Sequence, residues 1–187
     1  FNLAVDAHKD VRRKSGEPYI FHPIAVAQIV AKDIGLDATS IACALLHDVV
    51  EDSEYTLNDI EKIFNPKIRK IIDGLTKISG FSEQDISSQA ENFRKMLLTI
   101  SDDVRVILIK LADRLHNMQT LDSMPINKQQ KIGSETLYIY APLAHRLGLY
   151  SIKTELEDLG LKYTESEMYK DIARQLNETK NARIQYI

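Results

Sequence analysis

Residues 41–52 read IACALLHDVVED, an apolar run that ends in ionisable side chains. The apolar part is typical of a buried helix, where a charge is costly unless it is paired or bound to a metal ion. Residues four apart share a helix face, so we expect His47 to lie near Glu51 and, for the same reason, Asp48 near Asp52. His47 and Asp48 are therefore candidate ligands of one metal ion. Glu51 and Asp52 are candidate acid–base groups beside it, which favours a hydrolase.

Asp113 is a charged residue within a second apolar segment that is predicted to be a helix. Asn117 and Thr120 follow Asp113 at spacings of four and seven, so we expect the three side chains to share one face. Asp113 could complete the metal site, with the other two lining the same cavity. His22, near the basic turn 12–14, is a further candidate ligand at the start of a helix.

Two imidazoles and two carboxylates suit a divalent ion that takes nitrogen and oxygen ligands, such as manganese, iron or zinc. Manganese fits this mixed set better than magnesium, which prefers oxygen ligands. The residue types leave the choice between manganese and iron open. An ion of this kind activates water and polarises a phosphoryl group.

The composition is that of an ordinary globular protein: 187 residues, 44% hydrophobic, 27% charged, with a net charge of −3. We expect no direct nucleic-acid binding, because no overall basic field is present. No apolar run reaches membrane-spanning length and no signal-peptide pattern is found, so we expect no membrane association and a cytoplasmic location. The single cysteine, Cys43, fits a buried thiol in a reducing compartment.

Helical spacing dominates the chain, and no alternating strand pattern of useful length occurs. The predicted helices cover about residues 1–12, 22–35, 38–52, 57–64, 66–77, 88–100, 104–112, 126–146 and 150–160, with a last one from about 167. Thr56 and Asp59 predict a capping box, and Asp102 or Asp103 a helix cap. Residues 79–88 are the most loop-like stretch. The predicted fold is all-α, with one compact domain over 1–150 and a helical extension over 151–187.

Six segments together resemble one known family in order along the chain. They are 13–23 (RKSGEPYIFHP), 44–52 (ALLHDVVED), 73–77 (DGLTK), 89–96 (QAENFRKM), 111–118 (LADRLHNM) and 139–148 (IYAPLAHRLG). The chain resembles the HD superfamily of metal-dependent phosphohydrolases and, more closely, its RelA/SpoT family of alarmone enzymes. The resemblance implies an HD-domain helical bundle.

The resemblance also implies an activity of the stringent response: a guanosine-3′,5′-bis(diphosphate) 3′-diphosphatase. This hydrolase removes the 3′-pyrophosphate from ppGpp or pppGpp and gives GDP or GTP. The implied manganese ligands are His22, His47, Asp48 and Asp113. Glu51 and Asp52 match the pair that activates and orients water. The implied nucleotide pocket contains Arg13, Lys14, Ser15, Tyr19, Asn117 and Thr120, with Arg13 stacked on the guanine.

Two alternatives to this activity stay open: an HD phosphohydrolase of another nucleotide, and a regulatory module that binds the alarmone without turnover. The segment 155–187 resembles a connector to a synthetase domain, so we expect an N-terminal piece of a bifunctional enzyme with that domain as partner. His8 is expected to be a surface or packing residue and His145 a helix-surface residue. His116 is expected to support a ligand rather than bind the metal.

Overall fold

The computed structural model describes residues 1–79 and 103–184 of the chain. Within these ranges the regular structure is helical, without a β-strand, and an isolated β-bridge joins Arg12 to Pro18. The all-α prediction is thus confirmed. None of the helices in the described part combines the length and the apolar character needed to cross a bilayer. Of the predicted loop at 79–88, Ser79 is the last residue of a helix. The rest of that loop and the predicted helix at 88–100 lie outside the described residues.

The helices group into two units, residues 1–117 and residues 118–187. The first unit contains α1 (Asn2–Ala7), α2 (Phe21–Ile29, continued by a π-helical turn, Val30–Ile34), α3 (Ala38–Leu46), α4 (Val49–Asp52), α5 (Leu57–Ile63), α6 (Pro66–Ser79) and most of α7 (Val104–Gln119).

Helix α6 shows why the first unit forms a core. Its apolar residues recur at helical spacing and are buried: Ile68, Ile71, Ile72, Leu75 and Ile78. Helix α3 packs on α2 and α6, and α5 packs on α6. A Cβ atom on Gly74 of α6 would lie 2.9 Å from Cγ2 of Val106, so glycine allows α7 to approach closely.

Several predicted helix ends are confirmed. Thr56 and Asp59 form both hydrogen bonds of a capping box at the start of α5. Gly35 ends the second helical segment with a φ of 76°, in the left-handed region that favours glycine. Asp103 caps α7, because its Oδ1 accepts a hydrogen bond from the backbone N–H of Arg105 at 3.1 Å.

The prediction of one continuous helix over 38–52 is wrong. Helix α3 ends at Leu46 and α4 begins at Val49, with Asp48 at φ −102° and ψ −4°. Nδ1 of His47 lies 2.7 Å from the carbonyl oxygen of Ala44, the acceptor that the Asp48 N–H would use if the helix continued. A bond between side chain and backbone thus replaces helical pairing at this point.

The first helix is also shorter than predicted. It ends at Ala7 instead of residue 12, and His8 leaves the helical region with a φ of −112°. The chain then enters a turn in which the N–H of Tyr19 bonds to the carbonyl of Val11 at 3.0 Å. This turn brings Tyr19 back beside His8, at the end of the first helix.

The second unit continues from Met118. It contains a 3-10 turn (Leu121–Ser123), α8 (Ile126–Glu135), a π-helical turn (Thr136–Tyr140), α9 (Ala141–Arg146), α10 (Tyr150–Thr164) and α11 (Ser166–Ile184). The predicted helix over 126–146 is confirmed as one helical run with a π turn inside it. The boundary between the two units does not show which segment folds alone. The HD domain over 1–150 and the connector over 151–187 therefore stay predictions.

The buried face of α6 gives a stability prediction. Ile72 is fully buried, so Ile72→Ala is expected to lower the free energy of unfolding by about 2–5 kcal/mol in urea titrations followed by circular dichroism. Ile63, which is 52% exposed, is the matched control, and Ile63→Ala is expected to change it by less than about 0.5 kcal/mol. Equal effects of the two substitutions would contradict the packing described here.

Candidate metal centre

The break between α3 and α4 presents His47 and Asp48 to the interior of the first unit. His47 is buried, and the carbonyl of Asp48 accepts the backbone N–H groups of Glu51 and Asp52 at 3.0 and 2.9 Å. Helix α4 is therefore tied to the same residue that offers a carboxylate to the cluster. The sequence prediction placed these residues together for another reason, the spacing of an unbroken helix.

The predicted metal ligands from three parts of the chain meet at this break. Donor atoms of His22, His47 and Asp48 lie within 4.8 Å of one another. Nε2 of His47 is 2.9 Å from Oδ2 of Asp48, and Nε2 of His22 is 3.7 Å from the same oxygen. Oδ1 of Asp113, from α7, lies 3.2 Å from Nε2 of His22 and 3.9 Å from Nε2 of His47. The structure thus brings all four predicted ligands together.

The tautomer of His47 follows from its backbone contact. A carbonyl oxygen only accepts, so Nδ1 of His47 carries a proton and donates it to Ala44. In the neutral ring, Nε2 therefore holds a bare lone pair. This buried atom has no hydrogen-bond partner among the described residues, although the Asp48 carboxylate is close by. In this neutral form, with Nδ1 held by a carbonyl, Nε2 of His47 is the atom that could bind a metal ion.

The tautomer of His22 follows from a chain of hydrogen bonds that begins at Arg13. The guanidinium of Arg13 can only donate, so Nδ1 of His116 accepts from it at 3.1 Å. The same His116 atom lies 2.8 Å from Nδ1 of His22, which must then be the protonated donor. This leaves Nε2 of His22 bare toward Asp113. As predicted, His116 supports a predicted ligand.

Burial keeps the imidazoles of His22 and His116 neutral. Burial lowers the pKa of His22, and burial together with His22 and Arg13 lowers the pKa of His116 to about 4. A neutral His116 retains the acceptor that Arg13 and His22 share.

Asp113 is held on both of its oxygens by residues of its own helix. Nζ of Lys110 lies 2.9 Å from Oδ2, and Nδ2 of Asn117 donates to Oδ1 at 2.6 Å. Burial alone would raise the pKa of Asp113, but Lys110 and His22 lower it well below the usual range. The carboxylate is therefore charged as well as buried.

Asp48 receives its own donor from Tyr19. The Tyr19 hydroxyl donates to Oδ2 of Asp48 at 2.6 Å. Burial and the Asp48 charge both raise the pKa of Tyr19, so the hydroxyl keeps its proton. Burial would raise the pKa of Asp48 as well, but His47 outweighs it and holds that pKa below the usual range.

The residues present fit a divalent cation. Burial lowers the pKa of His47, yet the Asp48 and Asp113 carboxylates more than compensate and raise it to about 9. Without an ion, Nε2 of His47 therefore carries a proton toward Asp48, and a bound cation would take the place of that proton. The four donor–donor distances of 2.9–3.9 Å suit ligands of one ion bound at about 2.0–2.2 Å. Two nitrogens and two carboxylates suit a divalent ion of mixed nitrogen and oxygen preference.

The predicted acid–base residues lie on α4, beside the cluster. Glu51 and Asp52 are exposed, as groups that meet substrate and water must be. Oδ2 of Asp52 lies 3.6 Å from Nε2 of His8. The roles of Glu51 and Asp52 stay predictions.

The predicted nucleotide residues divide into two sets. Arg13 and Asn117 are joined, because Nη2 of Arg13 donates to Oδ1 of Asn117 at 2.7 Å, and Tyr19 reaches Asp48. Lys14 and Ser15 are exposed on the turn that precedes α2. Their placement is set by that turn, in which the N–H of Arg13 bonds to the carbonyl of Glu17 at 2.9 Å and Gly16 adopts a φ of 90°.

Thr120 does not share the helical face predicted for it. Helix α7 ends at Gln119, and Thr120 has a φ of −111°. The face predicted for Asp113, Asn117 and Thr120 therefore reaches only Asn117. Thr120 belongs to the second unit, and its place in the nucleotide pocket stays a prediction.

Sequence reasoning missed two residues of the first unit. Lys110 pairs with Asp113, and its spacing of three residues on one helix was an available signal. His8 was expected at the surface or in packing, and the surface alternative is wrong: His8 is 2% exposed and stacks on the Tyr19 ring at 4.7 Å. Its spacing of four from the buried Ala4 was the only local signal. His145 is exposed, as predicted.

Comparisons with known proteins show which family this chain resembles. A family profile described as an HD domain matches residues 1–150. A probable guanosine-3′,5′-bis(diphosphate) 3′-pyrophosphohydrolase of Synechocystis sp. is 48% identical over 98% of this chain and 24% of its own length. The bifunctional (p)ppGpp synthase/hydrolase SpoT of Escherichia coli K12 is 46% identical over 99% of this chain and 26% of its own length. The chain thus spans about a quarter of these relatives.

The fold itself has a solved counterpart. A structure described as a metazoan orthologue of SpoT that hydrolyses ppGpp matches with a TM-score of 0.63. The match covers 89% of this chain and 92% of that one at 24% sequence identity. At this identity the similarity shows the fold alone.

The geometry of the cluster predicts one divalent ion per chain, measured by calorimetric titration with Mn²⁺. Asp48→Asn is expected to weaken binding by more than about 100-fold, because loss of a supporting partner alone costs about 10- to 100-fold. The matched control is Asp33→Asn, at an exposed position on the π turn, with unchanged affinity. Unchanged binding by the folded Asp48→Asn protein would contradict the assignment of this ligand.

Proposed function

Because the chain belongs to the HD domain family, we propose that it is a metal-dependent hydrolase of guanosine 3′,5′-bis(pyrophosphate). The reaction removes the 3′-pyrophosphate of ppGpp or pppGpp and yields GDP or GTP and pyrophosphate. The observation that carries the proposal is the cluster formed by His22, His47, Asp48 and Asp113. The names of the relatives from Synechocystis and Escherichia coli support this substrate.

The ion of the proposal is Mn²⁺, held by Nε2 of the two histidines and by the two carboxylates. Mixed nitrogen and oxygen donors favour manganese or iron over magnesium. When bound, the divalent ion makes water more acidic and offsets the negative charge of the phosphoryl group. The chain's own groups perform the remaining work.

In the proposal, Glu51 and Asp52 orient the attacking water and accept its proton. Both residues lie on α4, three and four residues after Asp48, and their backbone N–H groups bond to the carbonyl of Asp48. This attachment supports a fixed distance between the acid–base pair and the metal ligands. General-base catalysis requires such a distance, because the base must reach the proton that it removes.

The guanine nucleotide is proposed to bind on the side of Arg13 and Asn117. A flat guanidinium can stack on a purine, and Asn117 can offer hydrogen bonds to a base edge. Lys14 and Ser15, on the exposed turn, are available to phosphate oxygens, and Tyr19 completes the pocket proposed within the first unit. The hydrogen bond from Asn117 to Asp113 supports a nucleotide site that adjoins the metal site.

Two further parts of the proposal concern the setting of this domain. Each of the two bacterial relatives is about four times as long as the matched segment, which supports a synthetase domain as the partner within a longer parent chain. A cytoplasmic location is proposed because Cys43, the only cysteine in the sequence, is a buried thiol, which fits a reducing compartment.

Measurements of turnover and of Mn²⁺ binding distinguish the role of the metal ligands from that of the acid–base pair. With Mn²⁺, the protein is expected to release pyrophosphate from ppGpp, and EDTA is expected to abolish release. Glu51→Gln is expected to retain Mn²⁺ and to lose about 100-fold or more in kcat, because a general base is removed. Glu54→Gln, at an exposed position just beyond α4, is the matched control with unchanged kcat.

The same assay decides among the alternatives. Normal turnover by the Glu51→Gln protein would contradict the role of Glu51. Phosphate release from NADPH or a deoxynucleoside triphosphate, without release from ppGpp, would favour an HD hydrolase of another nucleotide. Binding of ppGpp without turnover by the Mn²⁺-loaded protein would favour a regulatory module.

A further inference from the structure

The imidazole of His8 is buried beside the proposed acid–base pair and has no assigned role. Its Nδ1 lies 2.9 Å from the carbonyl oxygen of Ala4, so Nδ1 carries a proton and donates it. Its Nε2 is buried and lacks a hydrogen-bond partner in the part of the chain that the structure describes. This atom faces Oδ2 of Asp52 at 3.6 Å, a distance too long for a hydrogen bond.

Packing alone does not explain a histidine at this position. The ring stacks on Tyr19 with centroids 4.7 Å apart and planes 24° apart, a contact that phenylalanine would make equally well. An unpaired polar atom in the interior is costly. The arrangement is explained if Nε2 gains a partner during the reaction.

We propose that His8 is a positioning residue that holds Asp52 while Asp52 carries the proton taken from the attacking water. The inference rests on the proposed hydrolase function. A bare Nε2 and a carboxylate both accept hydrogen bonds, so they bond only when one proton lies between them. Asp52 acquires this proton in the reaction and can then donate to Nε2 of His8.

The proton and the bonds balance in this step. An O–H bond of water breaks and its proton passes to the Glu51–Asp52 pair and comes to rest on Asp52, while the water oxygen bonds to phosphorus. The P–O bond to the ribose 3′ oxygen breaks, and that oxygen takes up one proton from solvent. Asp52, whose side chain is 36% exposed, returns its proton to solvent. His8 is unchanged at the end.

The contacts of His8 extend to the proposed acid–base pair and to the proposed metal ligands. Helix α1, which ends just before His8, packs against α4, which carries Asp52. Through its stack on Tyr19, His8 also supports the hydroxyl that donates to the metal ligand Asp48. The carbonyl of Ala4 fixes the ring from the opposite side.

The test compares two substitutions at His8 by kcat and KM for ppGpp and by Mn²⁺ affinity. His8→Phe keeps the stack but removes Nε2 together with the Nδ1 donor, while the backbone N–H of His8 still bonds to the Ala4 carbonyl. We therefore expect kcat to fall about 10- to 100-fold, as for other supporting partners, with KM and Mn²⁺ affinity unchanged. His8→Gln offers an amide oxygen as acceptor and should recover part of the rate. The matched control is His145→Phe, because His145 also contacts a tyrosine ring, Tyr150 at 5.6 Å, but is exposed.

A double substitution separates positioning from general stability. If His8 acts through Asp52, the protein with both His8→Phe and Asp52→Asn should be no slower than Asp52→Asn alone. If the losses in kcat of the two single substitutions multiply in the double variant, the proposal is overturned. Normal turnover by His8→Phe would overturn it as well. If His8→Phe does not fold, His8→Gln replaces it in the same test. The ratio of the kcat of His8→Gln to that of wild type is then compared with the ratio of the kcat of the double variant to that of Asp52→Asn alone.

A readout without turnover distinguishes failure of this inference from failure of the proposed function. In long-range ¹H–¹⁵N spectra, Asp52→Asn is expected to shift the Nε2 resonance of His8 and to leave His145 unchanged. No release of pyrophosphate by the wild-type protein would overturn the proposed function. The His8 resonance would still decide whether His8 holds Asp52, and an unchanged resonance would overturn that contact.

Discussion

Mutual repulsion between the carboxylates of Asp48 and Asp113 is the constraint on which the first unit depends. Both lie near the Nε2 atoms of His22 and His47, in a region with little access to solvent. Charges of one sign in such a place are stable only with a compensating cation. Lys110 compensates one oxygen of Asp113, and the space between the four donors favours a second positive charge.

The helices around the cluster are placed to satisfy this constraint. Helix α3 ends where His47 turns its Nδ1 back to Ala44, and this break directs Nε2 and the Asp48 carboxylate to one point. The hydrogen bonds from Arg13 through His116 orient His22. The same side chains serve the proposed nucleotide pocket, so the metal site and the nucleotide site would share their supports.

The sequence predicted features that depend on local spacing. The capping box at Thr56 and the pairing of Asp113 with Asn117 are examples, because three- and four-residue spacings have fixed geometry on a helix. It failed where a side chain competes with the backbone, as at the break after Leu46. For His8 it left a surface and a packing position open, because the neighbours of His8, Tyr19 and Asp52, are distant in the sequence. Local patterns offered His47 and Asp48 as a ligand pair with Asp113 and His22 as further candidates, and the resemblance to one family implied the same set.

Anomalous diffraction from crystals grown with Mn²⁺ tests the central claim most directly, because it locates the ion without relying on activity. We expect one strong peak per chain, in contact with Nε2 of His22 and His47 and with the carboxylates of Asp48 and Asp113. A peak bound by other residues, or no peak at saturating Mn²⁺, would contradict the claim that this cluster is a metal centre.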